Sequence, residues 1–191
     1  MSIRTDMAVE SFSQAGGAEK LQGVKVKNKV IENARLEVTD ITIETQEAAE
    51  KLGRPVGRYI TLTATDSTFD MYSDSFRERA EVIAKAIREL CCGCERFLAV
   101  GLGNYALTSD AVGPLTAEKI FATRHIKSLA KEIDTDDLGE VTVIQPGVLG
   151  NTGIESSEQV KAIAERVTPQ AIIAVDALAC SELSNLGRTI Q

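Results

Sequence analysis

Two aspartates stand out by position from the other acids of this chain. Asp110 lies in VGLGNYALTSDAVGP, where the apolar run FLAV breaks at Gly101-Leu102-Gly103-Asn104. Asp176 ends the apolar run of IIAVDALA. After four apolar residues a carboxylate is costly to bury without a partner or a chemical task. Two carboxylates sharing a low-dielectric cleft do not readily both ionise, so one pKa is expected to rise. Such a pair can divide the work of amide hydrolysis. The ionised acid takes a proton from water, and the protonated one polarises or protonates the scissile amide. The plainer reading of Asp110 is a helix N-cap, since aspartate readily accepts helix N–H groups.

Other chemistries are weaker. GLGNYA resembles a dinucleotide fingerprint with Ala in its last place, but Tyr105 to Ser109 separate the glycines from the next helical pattern. PGVLGNTGIE lacks the lysine of a phosphate-binding loop. His125, the single histidine, sits in the middle of the helical pattern FATRHIKSLA, away from the strand ends where a Ser-His or Cys-His pair would need it. Carboxylates remain as metal ligands, so a magnesium-type site built on the same acids is the alternative use of the pair. Cys91 and Cys94 have the spacing of a redox dithiol or half a zinc site, yet only Cys180 remains to complete a second pair. They are read as small residues packed at a helix end. No cofactor and no metal is expected.

The elements that must position these residues fall into two patterns. Up to about residue 70, Val24–Lys27, Arg35–Val38, Ile41–Ile43 and Tyr59–Thr63 alternate apolar with polar, as antiparallel strands do. Arg54-Pro55-Val56-Gly57 reads as a turn among them. From Ser75 the period lengthens. Phe76, Ala80, Ile83, Ala86, Ile87 and Leu90 fall on one helical face, and Gly93 ends that helix. Three continuous apolar runs follow, Phe97–Val100, Val141–Ile144 and Ile172–Val175. Each is expected to be a strand covered on both faces. Helical patterns at about 115–132 and 155–166 lie between them. Strand, helix, strand, helix, strand predicts a parallel sheet with right-handed crossovers. The fold class is therefore α/β: a mostly parallel sheet with flanking helices over about 75–191, and an antiparallel β portion over about 1–70, read as one domain.

On that scaffold Gly101-Leu102-Gly103-Asn104 follows the first parallel strand. Pro146 to Gly153 follows the second, and Asp176 ends the third. All three segments then share the carboxyl edge of the sheet, where open α/β folds bind ligands. Gly101, Gly103, Asn104, Gly147, Gly150, Thr152 and Gly153 are the expected substrate-binding positions. They let a peptide backbone approach and offer N–H groups to a developing oxyanion.

Composition limits the partners. The net charge is −7 and 43% of residues are hydrophobic. A globular chain of this balance, without a basic stripe, is not expected to bind nucleic acid directly. No apolar run reaches the length of a membrane span. MSIRTDMAVE lacks the order of a secretory signal, so a cytoplasmic protein is expected.

Four stretches together, IRTDMAVES, VGLGNYALTSDAVGP, PGVLGNTGIES and AVDALA followed by RTIQ, resemble the germination proteases of spore-forming bacteria. The resemblance runs from Ile3 to Gln191. It implies an atypical aspartic endopeptidase that degrades small acid-soluble spore proteins at germination, with an α/β core related to hydrogenase maturation proteases. It implies Asp110 and Asp176 as the catalytic aspartates, a zymogen with a short propeptide, a homotetramer, and a location in the spore core. It makes Arg4, Asp6 and Glu10 of IRTDMAVE a family mark, whereas chemistry alone reads them as a salt-bridged entry to a strand or helix. Three features depart from the pattern. Thr108-Ser109-Asp110 replaces the more usual Thr-Pro-Asp. Only Met1-Ser2-Ile3 precede the Arg-Thr-Asp motif, so almost no propeptide is expected. RTIQ reads as the beginning of a strand cut short, which suggests a piece that lacks a C-terminal segment of the same polypeptide. A fragment that binds spore proteins without cutting them is the matching alternative.

Overall fold

The computed structural model describes residues 5–16, 22–129, 135 and 138–191, with backbone alone at 128 and 129. Arg4 and the end of the helical pattern beyond 129 lie outside the described residues. In chain order the elements are α1 (Ala8–Gln14), β1 (Val24–Ile31), β2 (Leu36–Ile43), α2 (Gln46–Leu52), β3 (Gly57–Ala64), α3 (Phe76–Leu90) and β4 (Arg96–Gly101). There follow α4 (Val112–Lys119), α5 (Arg124–Leu129), β5 (Glu140–Ile144), α6 (Leu149–Thr152), α7 (Ser156–Val167), β6 (Ala171–Val175) and β7 (Thr189–Ile190). Residues 1–90 with 178–191 make one compact unit, and residues 91–177 make another.

The first unit is built on an antiparallel sheet of order β1-β2-β3-β7. The alternation in the sequence sorts its side chains onto two faces. Register Val26↔Ile41↔Tyr59 lines one face. There Ile41 and Ile43 are buried with Phe12 of α1 and with Ala48, Ala49 and Leu52 of α2. The short helix α2 is legible in hindsight only by its ends. The Thr45 hydroxyl accepts the Ala48 N–H at 3.3 Å, and Gly53 closes the helix at φ +62°. Seven residues are too few for a clear helical period. The expected strand at 189–191 is present: Ile190 and Thr189 pair with Leu62 and Thr63 of β3.

The other sheet face meets α3, but not through the apolar stripe that the sequence suggests. Phe76, Ala80, Ile87 and Leu90 are exposed, Phe76 by 50%. Val82 faces the sheet instead, against Leu36, Ala64, Ala34 and Ile31. The anchor that sets this rotation is Arg79, which is 2% exposed. Its guanidinium pairs with Asp66 and donates to the carbonyls of Ala34 and Thr68, both at 3.1 Å. It also lies over the Phe69 ring at 5.6 Å. A buried charge is tolerated only when partners satisfy it this fully. Hydrogen bonding from Arg35, with Arg79 beside it, holds the Asp66 carboxyl well below the usual carboxylate range.

The second unit contains the parallel sheet, in the order β5-β4-β6. Leu98, Ala99 and Val100 of the central strand β4 are buried as expected. Strand β6 is not covered on both faces. It lies at the sheet edge, and Ile172 is 48% exposed. The helical pattern at 115–132 is two helices, not one. Thr123 breaks it: its N–H donates to the Val141 carbonyl at 3.0 Å, and its hydroxyl accepts the Val141 N–H at 2.8 Å. Sheet bonding at Thr123 takes the groups that a continuous helix would use.

Candidate functional site at the parallel sheet edge

Asp110 and Asp176 both belong to the second unit, and both follow strands of its sheet. The chain leaves β4 at Gly101, and the Leu102 N–H donates to the Val175 carbonyl at 2.9 Å. That bond ties the loop after β4 to the last residue of β6, immediately before Asp176. The loop then turns through Gly103, at φ +117°. A side chain is excluded there twice over, because a Cβ on Gly103 would also lie 2.1 Å from the Asp110 carbonyl oxygen.

Asp110 closes a 3₁₀ turn over Thr108–Asp110. Its Oδ2 accepts the Asn104 N–H at 2.7 Å. It does not cap α4, whose N-cap is Ala111 and receives no side-chain bond. The carboxylate instead reaches backwards to the loop, which fixes its position relative to the end of β4. Asn104 also accepts the Ala106 N–H on its side-chain oxygen at 3.0 Å, tightening the same loop.

Helix α4 begins against the sheet edge. A Cβ on Gly113 would lie 2.1 Å from the Leu102 carbonyl oxygen and 2.4 Å from that of Val175. One on Gly101 would lie 2.4 Å from the Gly113 oxygen. These two glycines let α4 seat directly on the ends of β4 and β6. The sequence motif thus brings the loop bearing Asp110 to the strand end bearing Asp176.

Asp176 is exposed, and its Oδ1 accepts the N–H of the next residue, Ala177, at 2.8 Å. The expectation of a costly buried carboxylate is therefore corrected. The residues before Asp176 belong to an edge strand with alternating exposure, so an apolar run did not imply burial at its end. The low dielectric that would separate two acids is not supplied at Asp176.

The loop after β5 is shaped by its glycines. Gly147 and Gly153 have φ values of +73° and +70°. Gly150 lies within α6 with open space where a side chain would project. The Thr152 hydroxyl donates to the Ile154 carbonyl at 2.9 Å and accepts the Ile154 N–H at 3.2 Å, so it serves the turn itself. Ser156 and Gln159 at the start of α7 donate to the carbonyls of Gly147 and Pro146. Among the described residues no cluster of three His, Cys, Asp or Glu side chains is placed to hold a metal ion. Cys91 and Cys94 are half-buried free thiols, and burial together with Cys94 pushes the Cys91 thiol up.

The N-terminal acids occupy the first unit. Glu10 is 5% exposed and sits in a cage of hydrogen-bond donors. It accepts the Ser181 N–H at 2.8 Å, the Ser181 hydroxyl at 2.5 Å, the Glu182 N–H at 3.2 Å and the Asn185 amide at 2.6 Å. Burial pushes its carboxyl up, but hydrogen bonds from Ser181, Thr5 and Asn185 outweigh it and lower the pKa to about 2. Asp6 accepts the Ala179 N–H at 3.2 Å and returns its own N–H to the Ala179 carbonyl at 2.8 Å. Arg54 lies in the turn that the sequence predicts and does more than shape it. It donates to the Thr5 carbonyl at 2.6 Å and the Ser11 hydroxyl at 3.1 Å, and so holds the entry to α1.

An antiparallel sheet and a parallel sheet with flanking helices define an α/β protein. Over residues 3–191 it matches the family model described as germination protease, and the chain belongs to that family. A germination protease of Clostridium perfringens strain ATCC 13124 is 36% identical over 195 residues, covering 100% of this chain and 59% of its own length. That of Clostridium tetani is also 36% identical, with the same two coverages. That of Priestia megaterium is 35% identical over 204 residues, covering 100% of this chain and 54% of its own length. The chain thus spans a little over half the length of these curated relatives. No described helix is long and apolar enough to cross a membrane.

Proposed function

We propose that the chain forms the aspartate-bearing part of an endopeptidase that opens the degradation of small acid-soluble spore proteins at germination. The observation that carries this reading is the Leu102–Val175 hydrogen bond, which joins the Asp110 loop to the strand end that presents Asp176. Family membership supplies the peptidase chemistry, and the residues supply a means. A peptide laid along the carboxyl edge meets backbone N–H groups of the loops at 101–104 and 147–153. One aspartate takes a proton from water as the oxygen attacks the scissile carbonyl carbon. The other, protonated, passes its proton to the departing amide nitrogen, so that the C–N bond breaks and no charge is left behind. The loop N–H groups stabilise the tetrahedral oxyanion between these steps.

The exposed side of β6 fits a working enzyme in which further polypeptide completes the cleft, contributed by a C-terminal segment of the same protein. A zymogen origin, a homotetramer and action in the spore core complete the reading and rest on the family resemblance. The test is incubation of the chain, alone and with the C-terminal portion of a longer relative, with a purified small acid-soluble spore protein. Products are identified by mass spectrometry. Cleavage by the wild type and none by Asp176→Asn is expected. Cleavage by that variant at the wild-type rate overturns the assignment.

A further inference from the structure

The first unit carries a groove that the proposed chemistry does not use. It lies between α3 and the β1-β2-β3 face and has a volume of about 450 Å³, within the range of roughly 300–1,000 Å³ typical of ligand sites. Its floor is apolar: Ile31, Val38, Ile60, Leu62 and Val82. The groove opens because Arg79 draws the start of α3 onto the sheet, while farther along Lys85 and Glu89 face the sheet in place of large apolar side chains.

The rim of this groove is basic. Its two carboxylates are both taken by one cation: Arg58 pairs with Asp40 at 2.7 Å and with Glu89 at 3.2 Å. Lys27, Lys29 and Lys85 are exposed, and their ammonium groups make no ion pair or hydrogen bond among the described residues. Lys27 and Lys29 alternate along β1 and so project from the same sheet face as Ile31. On a chain of net charge −7, three unneutralised ammonium groups beside one apolar floor are not the residue of a generally basic surface.

We propose that this groove is a docking site for an acidic segment of another polypeptide that also carries aliphatic side chains. Carboxylates of the segment would meet Lys27, Lys29 and Lys85, and its aliphatic groups would cover Ile31, Val38, Ile60 and Leu62. Charge at the rim sets the encounter and the choice of partner, and apolar burial holds the complex. Nucleic acid is a poorer match, because the floor has no aromatic platform for bases and the chain as a whole repels phosphate.

The site is tested by binding rather than by cleavage, so it stands or falls apart from the proposed protease chemistry. The probe is a fluorescein-labelled peptide of alternating glutamate and leucine, titrated by anisotropy against the chain. Poly-glutamate of equal charge and a short single-stranded DNA serve as comparisons. Saturable binding of the Glu–Leu peptide is expected, weakened by about tenfold for poly-glutamate and by about tenfold in the variant K27Q/K29Q/K85Q. The three lysines are exposed, and circular dichroism checks that the variant keeps its fold. K27E/K29E/K85E is expected to bind more weakly still. Equal binding by wild type and the glutamine variant overturns the proposal, as does equal binding of poly-glutamate or preferential binding of DNA. Sedimentation showing that a second copy fills the groove, with dimers lost in the variant and no peptide bound, also overturns it.

Discussion

The Ser181 hydroxyl donates to the Glu10 carboxylate across 2.5 Å, although the two residues are 171 positions apart in the chain. With Asn185 and two backbone N–H groups it fastens α1 to the last turn-rich segment of the chain. Replacing Glu10 by Ala leaves several inward donors unsatisfied, at an expected cost of about 2–4 kcal/mol. Urea unfolding of the variant and the wild type at neutral pH measures it.

The same cage predicts a pH dependence. The folded-state pKa of Glu10 is depressed to about 2 from an ordinary 4.5. A depressed carboxyl contributes its stability in full above the unfolded value, and that contribution fades as pH falls from about 4.5 toward about 2. Glu10→Gln is therefore expected to lie below wild type at neutral pH and to converge on it in acid. Parallel urea midpoints across that range give the answer, and a constant gap would refute the cage as the source.

Gly103 and Gly113 permit no side chain where they stand. Gly103→Ala places a methyl 2.1 Å from the Asp110 carbonyl oxygen at positive φ, and Gly113→Ala places one 2.1 Å from that of Leu102. Each is expected to lower stability by about 2–4 kcal/mol and to displace the Asp110 loop. Gly150→Ala, with open space around it, is the control and is expected to be neutral. Thermal unfolding separates the three.

Asp110→Asn retains an oxygen that can accept the Asn104 N–H, and Asp176→Asn alters an exposed residue. Both variants are expected to stay within about 0.5–1 kcal/mol of wild-type stability. On the proposed mechanism, each lowers the cleavage rate of spore protein by a factor of about 100 or more. Stability unchanged with cleavage lost marks chemistry; loss of both marks a structural role.

Arg79→Met removes a buried cation and leaves the carbonyls of Ala34 and Thr68 without their donor, while Asp66 keeps only its Arg35 partner. Breaking one side of such a pair is expected to cost about 3–5 kcal/mol. Asp66→Asn is expected to cost less in the Arg79→Met background than in the wild type, and a double-mutant cycle by denaturant melts would show that coupling.

Much of the fold was legible because strand patterns are local. The alternation of VKVK and YITLT, and the continuous runs FLAV, VTVI and IIAV, report strands wherever they occur in the chain. The position of the glycine loops at strand ends followed from the same reading. The face turned inward by α3 was misread, because the helix has an apolar stripe and yet docks through Arg79. Hydrophobic periodicity cannot register an ionic anchor whose partners, Asp66 and the Ala34 and Thr68 carbonyls, are supplied by other segments. The break at Thr123 escaped notice for a like reason, since its competing bonds go to Gly139 and Val141.

The sequence by itself determined which residues follow the parallel strands, Asp110 in the loop after β4 and Asp176 directly after β6, because side-chain periodicity and glycine punctuation are properties of neighbours in the chain. Tertiary structure alone decided what those residues meet. The Leu102–Val175 bond, the seating of Gly113 on two strand ends, the exposure of Asp176 and the caging of Glu10 each join segments far apart in sequence. Hydrogen bonding and close packing act over a few ångströms in space, and only the folded chain brings those partners within that range.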